Sequence, residues 1–316
     1  RDEQMIALLF IDLDRFKYVN DSMGHEYGDD LLKQVATRLN GCVRETDTVA
    51  RFGGDEFVIL LHNVKSDADA SHVASKLLDQ LSEPFLLAER EVIIGASIGI
   101  AMHPGDANTA ETLIRNADLA MYKAKQSGRN QAHFFTAAMQ EHANQRMTLE
   151  QDLRHALDRE QLEVFYQPVV HGRSGRITGV EALLRWHHPE RGMVPPDQFI
   201  PLAEETGLIG VIGEWVLETA CAQLREWSAA GLNLYLSVNI SERQRELGLE
   251  AAVVREMLDR YQINPSQLVL EITEGLLLQD SEDTIRWLSG FKQVGVHLAI
   301  DDFGTGYSSL SYLKRF

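Results

Sequence analysis

Two sets of acidic and amide side chains in this sequence have the types and spacing to do chemistry. The first is Asp12, which follows the apolar run 6–11, with Asp55 and Glu56 of the turn Gly53-Gly54-Asp55-Glu56. If the segments flanking that turn form a hairpin beside the first strand, the three carboxylates converge at one edge of a sheet. Carboxylates so close repel one another unless a cation sits between them. Mg²⁺ suits this role, because it is held by a few carboxylates together with the phosphate oxygens of a substrate. A Gly-Gly-Asp turn alone signals only a turn, so the inference rests on the combination. The second set is Glu181, Asn239, Glu271 and Asp301. The last three fall near the ends of successive strand-like segments, roughly 30 residues apart, the length of one βα unit. Polar residues at the carboxyl ends of successive barrel strands converge over the mouth of the barrel. Oxygen donors of this kind suit Mg²⁺ or Mn²⁺, and Asp302 is positioned to reach a second metal, the arrangement used for phosphodiester hydrolysis.

The elements that must hold these groups are legible as hydrophobic periodicity. A buried strand is predicted over 6–11, a helix on Leu31, Leu32, Val35, Ala36 and Leu39, and strands over 48–52 and 57–61. A second helix carries Ala70, Val73, Ala74, Leu77, Leu78 and Leu81; strands near 84–88 and 91–101, a third helix on 113–124 and a strand near 132–135 complete an α+β domain with a mixed sheet. Residues 136–160 are polar and free of Gly and Pro, which predicts a helical connector. Beyond it, strands near 162–170, 176–186, 233–240, 267–273 and 296–302 are mostly separated by helices, the rhythm of a parallel sheet or part of a (β/α)8 TIM-like barrel. The expected organisation is therefore 1–135, a connector 136–160, and 161–316.

The formal charge is −17, from 47 acidic and 30 basic residues. That balance argues against a nucleic-acid polymer as partner, since such binding needs clustered Lys and Arg. It leaves room for an anionic nucleotide bound through divalent metal. The two cysteines, Cys42 and Cys221, form no disulfide framework and predict a reducing cytosol. No apolar run approaches the length of a membrane span, so no membrane contact is expected from these residues. The chain reads as a fragment, its parent carrying sensory or inner-membrane anchoring segments elsewhere.

The stretches Phe10-Ile11-Asp12-Leu13-Asp14-Arg15-Phe16-Lys17, Gly24-His25-Glu26-Tyr27-Gly28-Asp29 and Arg51-Phe52-Gly53-Gly54-Asp55-Glu56-Phe57 closely resemble the GGDEF diguanylate cyclase family over roughly residues 5–135. The resemblance implies that Asp12, Asp55 and Glu56 bind Mg²⁺, and that Asp55 and Glu56 are the pair activating the 3′-hydroxyl of GTP. It implies that Asn20 and Asp29 hydrogen-bond guanine and that Lys17, Lys125 and Arg129 hold the triphosphate. Two such domains, each with one GTP, would face each other in a homodimer. Arg44-Glu45-Thr46-Asp47 resembles the family's inhibitory product site, with Arg44 and Asp47 as its contacts; the alternative is a surface ion pair.

In the second half, Tyr166-Gln167-Pro168, Glu181-Ala182-Leu183-Leu184-Arg185-Trp186, Ser237-Val238-Asn239-Ile240-Ser241, Glu271-Ile272-Thr273-Glu274 and Asp301-Asp302-Phe303-Gly304-Thr305-Gly306 resemble the EAL phosphodiesterase family. By that resemblance Glu181, Asn239, Glu271 and Asp301 bind one Mg²⁺ or Mn²⁺ and Asp302 serves a second. Gln167 and Arg185 contact cyclic di-GMP, and Glu274 anchors the loop after Asp302. The family's later strands, with a Lys, a Glu and a Gln, are absent from this sequence. Residues 1–316 alone are therefore expected to hydrolyse cyclic di-GMP poorly. Together the resemblances imply synthesis of cyclic di-GMP from two GTP and its hydrolysis to pGpG. The alternatives are a phosphodiesterase with a regulatory GTP-binding domain, and a cyclic di-GMP receptor without activity.

Overall fold

The apolar run at the start of the chain becomes the middle of a sheet. In the computed structural model, which describes residues 5–273, 276 and 282–301, the chain divides into two compact units, 1–146 and 147–316. In the first, β1 (Ile6–Asp14), β2 (Thr48–Gly53), β3 (Glu56–Leu61), β6 (Gly95–His103) and β7 (Gln131–Phe134) form one sheet in the order β2-β3-β1-β6-β7. A small hairpin, β4 (Phe85–Leu87) and β5 (Arg90–Val92), stands apart from it. β1 is antiparallel to both neighbours. Ala7, Leu9, Ile11 and Leu13 pack with α2 (His25–Cys42) and α3 (Asp67–Ser82), while Leu8 and Phe10 pack with α4 (Ala110–Gln126). A strand covered on both faces shows a continuous apolar run instead of alternation.

Two features differ from the sequence expectation. β1 continues to Asp14, so Asp12 and Asp14 lie inside the strand and are buried, not beyond its end. Pairing persists because β6 follows it to the register Asp14↔Gly95, and Asp14 is satisfied there by the Ser97 hydroxyl at 2.8 Å and the Asn130 N–H at 2.9 Å. A short helix, α1 (Phe16–Met23), also follows β1 directly, entered through Arg15 in the left-handed region at φ 62°. α4 lies hard against the sheet at Gly99, where a Cβ would stand 1.9 Å from the Ala117 carbonyl oxygen and 2.1 Å from the Met121 nitrogen. Only glycine permits that approach, and it fixes the far end of α4 over the end of β1.

The polar stretch that follows is helical over α5 (Ala137–Arg154), shorter than expected, with turns and a left-handed Glu160 (φ 55°) before the next strand. The second unit holds β8 (Leu162–Val170), β9 (Ile177–His188), β10 (Gly192–Val194), β11 (Tyr235–Ile240), β12 (Leu268–Thr273) and β13 (His297–Asp301). Its helices are α6 (Pro196–Thr206), α7 (Leu208–Ala229), α8 (Glu242–Glu246), α9 (Ala251–Tyr261) and α10 (Glu282–Val294). β9, β11, β12 and β13 run parallel, as the strand–helix alternation implies. β8 instead returns on β9 as an antiparallel hairpin, and β10 pairs with the far end of β9. Trp186, fully buried, meets Phe199 edge to face at 5.6 Å in the core beneath β9. Beside it the buried His188 accepts the Glu190 and Arg191 N–H groups on Nδ1, which leaves Nε2 to donate to Asp152 of α5 at 3.1 Å. Among the described residues no single helix is long and apolar enough to cross a membrane.

Candidate active sites

In the first unit the register of β1 and β3 sets Asp12 directly opposite Glu56. Directly paired residues share one face of a sheet, and here it is the face that α4 covers. The turn between β2 and β3 is pinned by Leu13 N–H donating to the Asp55 carbonyl at 3.3 Å and Arg51 Nε donating to the Gly54 carbonyl at 2.9 Å. Lys125, on the last turn of α4, brings its ammonium to 2.6 Å from Asp12 Oδ2; that carboxylate is only 11% exposed. Burial raises the Asp12 pKa, the Lys125 ammonium opposes that rise, and Asp55 and Asp14 add to it. Burial raises Glu56 as well, with Asp12, Asp118 and Asp55 repelling its charge. Such a group of mutually destabilised oxygen anions calls for positive charge.

Asp118 is the member of this group that sequence reasoning missed. It lies two turns before Lys125 on the same helix, and that spacing, beside the packing stripe Ala117, Ala120, Met121 and Ala124, was the available signal. Asp14, by contrast, is committed to the loop after α4. Its bond to the Asn130 N–H holds a run of left-handed residues, Gly128, Arg129 and Asn130, and so fixes where Arg129 emerges. Lys17 and Asp29 are exposed, on α1 and α2. Asn20 lies over Gly28, where a Cβ would stand 1.9 Å from Asn20 Oδ1 and 3.3 Å from Phe16 Cζ. Gly28, the residue before Asp29, thus leaves the space that the Asn20 side chain occupies. Arg44 is exposed, and its guanidinium makes no ion pair with Asp47. The Asp47 carboxylate instead accepts the backbone N–H of Arg44 at 2.9 Å and of His62 at 3.0 Å, so the surface ion pair considered for this motif is not what the structure contains.

In the second unit the sheet register gathers the candidate residues on one face. Gln167 of β8 is paired with Glu181 of β9, and Glu181 with Ser237 of β11. Asn239 is level with Glu271 of β12, and Thr273 with Asp301 of β13. Asn239 Nδ2 donates to Glu181 Oε1 at 3.0 Å. Burial raises the pKa of Glu271; the Ser237 hydrogen bond opposes this, and Glu181 and Asp301 reinforce it. Arg185 donates to the Leu184 carbonyl at 2.9 Å and lies 5.6 Å from the centre of the Phe165 ring. Glu181, Arg185, Asn239 and Asp301 line a cleft of about 860 Å³ whose other wall is built by α6 and α7, within the size range of small-molecule sites. Asp302 and Glu274 lie outside the described residues.

Among the described residues, no three His, Cys, Asp or Glu side chains converge closely enough to hold a metal ion by themselves. The donor chemistry still fits a hard divalent cation. Both clusters are oxygen-rich, both contain carboxylates whose charge is penalised by like neighbours, and Mg²⁺ completes its shell with water and substrate phosphate.

Residues 1–131 match the family model described as diguanylate cyclase, GGDEF domain, and residues 150–316 the model described as EAL domain. Over its whole length the chain is 49% identical to the bifunctional diguanylate cyclase/cyclic di-GMP phosphodiesterase MucR of Pseudomonas aeruginosa, and it covers 46% of that protein. The solved structure of the PaMucR phosphodiesterase in its c-di-GMP complex is 48% identical with a TM-score of 0.52, over 54% of this chain and 69% of that one. The S helix-GGDEF-EAL structure of Vibrio cholerae LapD, bound to c-di-GMP, shares the fold at 18% identity with a TM-score of 0.63, over 98% of this chain and 72% of that one. The chain spans half or less of the length of the curated relatives it matches.

Proposed function

Because the chain belongs to the GGDEF diguanylate cyclase family through its first unit and to the EAL family through its second, we propose that it both makes and degrades cyclic di-GMP. The observation that carries this reading is that each unit retains its own set of oxygen donors, gathered on one face of its sheet. In the first unit, Asn20 and Asp29 hold guanine while Lys17, Lys125 and Arg129 hold the triphosphate. Asp55 and Glu56 flank the 3′-hydroxyl, and one of them takes its proton. Each 3′-oxygen bonds to the α-phosphorus of the other GTP as pyrophosphate leaves, so two copies of the unit face each other in a homodimer. In the second unit, Gln167 and Arg185 hold the dinucleotide and water opens one phosphodiester to give pGpG. Asp12, Asp55 and Glu56 would hold Mg²⁺ in the first unit. In the second, Glu181, Asn239, Glu271 and Asp301 would hold Mg²⁺ or Mn²⁺, with Asp302 serving a second ion and Glu274 anchoring the loop after it. A divalent cation, when bound, supplies positive charge to phosphate oxygens and makes a bound water more acidic. The buried free cysteines, Cys42 and Cys221, fit a cytosolic setting.

The proposal is tested on a protein carrying these residues together with the later strands of the EAL family, incubated with GTP and with cyclic di-GMP in separate reactions, with products resolved by chromatography. Cyclic di-GMP from the first and pGpG from the second are expected. Hydrolysis without synthesis would leave a phosphodiesterase with a nucleotide-binding regulatory unit, and neither product would leave a receptor.

Gly28→Ala is expected to raise the KM for GTP about tenfold, the scale of one lost hydrogen bond to a bound group, because the new methyl group displaces Asn20. Alanine is otherwise favoured in a helix, so Tm should hold steady. An unchanged KM would remove Asn20 from guanine recognition. Arg44→Ala is expected to relieve inhibition by cyclic di-GMP with little change in the initial rate of synthesis, since the motif lies apart from the turn carrying Asp55 and Glu56. The check is cyclase rate against added product with hydrolysis blocked by Glu181→Ala. Inhibition as strong as in the parent protein would leave Arg44 a solvated surface residue.

A further inference from the structure

We propose that the Lys125 ammonium and the divalent cation compete for Asp12, so that the first unit takes up its metal with the nucleotide and not before it. This rests on reading the unit as a GTP site and adds the coupling between the two ligands. The ammonium sits 2.6 Å from Asp12 Oδ2, the distance of a strong charge-assisted hydrogen bond. Among the described residues, Lys125 is the cation seen paired with this cluster, whereas Arg51 Nε is turned to the Gly54 carbonyl. Mg²⁺ on the same carboxylate would stand about 2 Å from its oxygen, which sets a doubly charged ion roughly 4 Å from the ammonium. At a carboxylate only 11% exposed the two cations repel strongly, and each weakens the other's hold on Asp12.

The helix cannot withdraw to release the lysine. α4 is seated on Gly99 with no room for even a methyl group between them, so the exchange falls to the flexible four-carbon stem of Lys125. The ammonium then needs another anion, and the nucleotide's phosphates supply one. Without nucleotide, metal binding must first break the Lys125–Asp12 pair. With nucleotide, the lysine moves to phosphate and the carboxylate is freed. The two ligands therefore bind with positive coupling, and linkage makes that coupling reciprocal.

The test is direct Mn²⁺ binding to the full chain, read from the paramagnetic resonance signal of the free ion. Site-specific binding is isolated as the part lost in Asp12→Asn. Lys125→Met is expected to tighten Asp12-dependent Mn²⁺ binding in the absence of nucleotide by about tenfold or more, the scale of a hydrogen bond to a charged group. A non-hydrolysable GTP analogue should tighten Mn²⁺ binding to the parent protein and have much less effect in Lys125→Met. Lys125→Gln serves as a second neutral variant. Unchanged or weaker nucleotide-free affinity in both variants overturns the competition; if the analogue still tightens Mn²⁺ binding to the parent protein, the GTP site itself stands. No Asp12-dependent binding in any protein, with or without the analogue, overturns both.

Discussion

In a protein that carries the later EAL strands as well, Glu271→Gln is expected to abolish the opening of cyclic di-GMP to pGpG, with a loss on the order of a thousandfold. Glu271 lies in the middle of the donor set, level with Asn239 and hydrogen-bonded by Ser237, with Glu181 and Asp301 as charged neighbours. Glutamine keeps the shape and can still accept from the Ser237 hydroxyl, so the substitution removes charge with little disturbance of packing. A second readout separates function from folding. Burial and like charges raise the Glu271 pKa above its ordinary value of 4.5, so the folded metal-free protein holds that proton more tightly than the unfolded chain does. The stability this contributes is complete below the ordinary value and is lost as pH rises through the raised one. At neutral pH, Glu271→Gln should therefore show a Tm equal to or above that of the parent protein in chelator, while activity is gone. Retained hydrolysis would remove Glu271 from the site, and a marked fall in Tm would reduce its role to packing.

In the same longer protein, Glu56→Gln is expected to eliminate synthesis of cyclic di-GMP, again by about a thousandfold, while hydrolysis by the second unit continues. The β1–β3 register puts Glu56 opposite Asp12, whose charge adds to burial in raising the cost of ionising Glu56. The charge is what the site needs, and the amide lacks it. Synthesis is best followed in a Glu271→Gln background, where product is not consumed. Hydrolysis is followed separately in the single variant. Substantial cyclic di-GMP from the Glu56→Gln protein, at equal protein levels, would refute the assignment of that turn.

Much of the architecture was legible because burial writes itself into sequence. The uninterrupted apolar run before Asp12 announced a strand covered on both faces, and the stripe from Leu113 to Ala124 announced α4. Strand direction was not legible: alternation along 162–170 is the same whether β8 runs with β9 or against it. The reach of β1 to Asp14 escaped for a related reason, since two aspartates resemble the end of a strand until Ser97 and Asn130 are seen to satisfy one of them. Candidate residues could be named from motifs, but their partners could not. That Asp12 meets Lys125 depends on how closely α4 sits on Gly99, a distance that no periodicity encodes. Asp118 joined the group for the same reason.

Asp47 has a consequence for how such sequences drift. Its carboxylate accepts the N–H groups of Arg44 and His62 and so joins the segment just after α2 to the residue that follows β3, and hydrogen bonds to a charged group are stronger than neutral ones. Arg44 has no such duty. Selection for a stable fold alone would retain the aspartate and let the arginine vary. In descendants that have abandoned feedback, the arginine should be the first of the pair to disappear, and an aspartate surviving alone at this position would record a debt to the fold and say nothing about regulation.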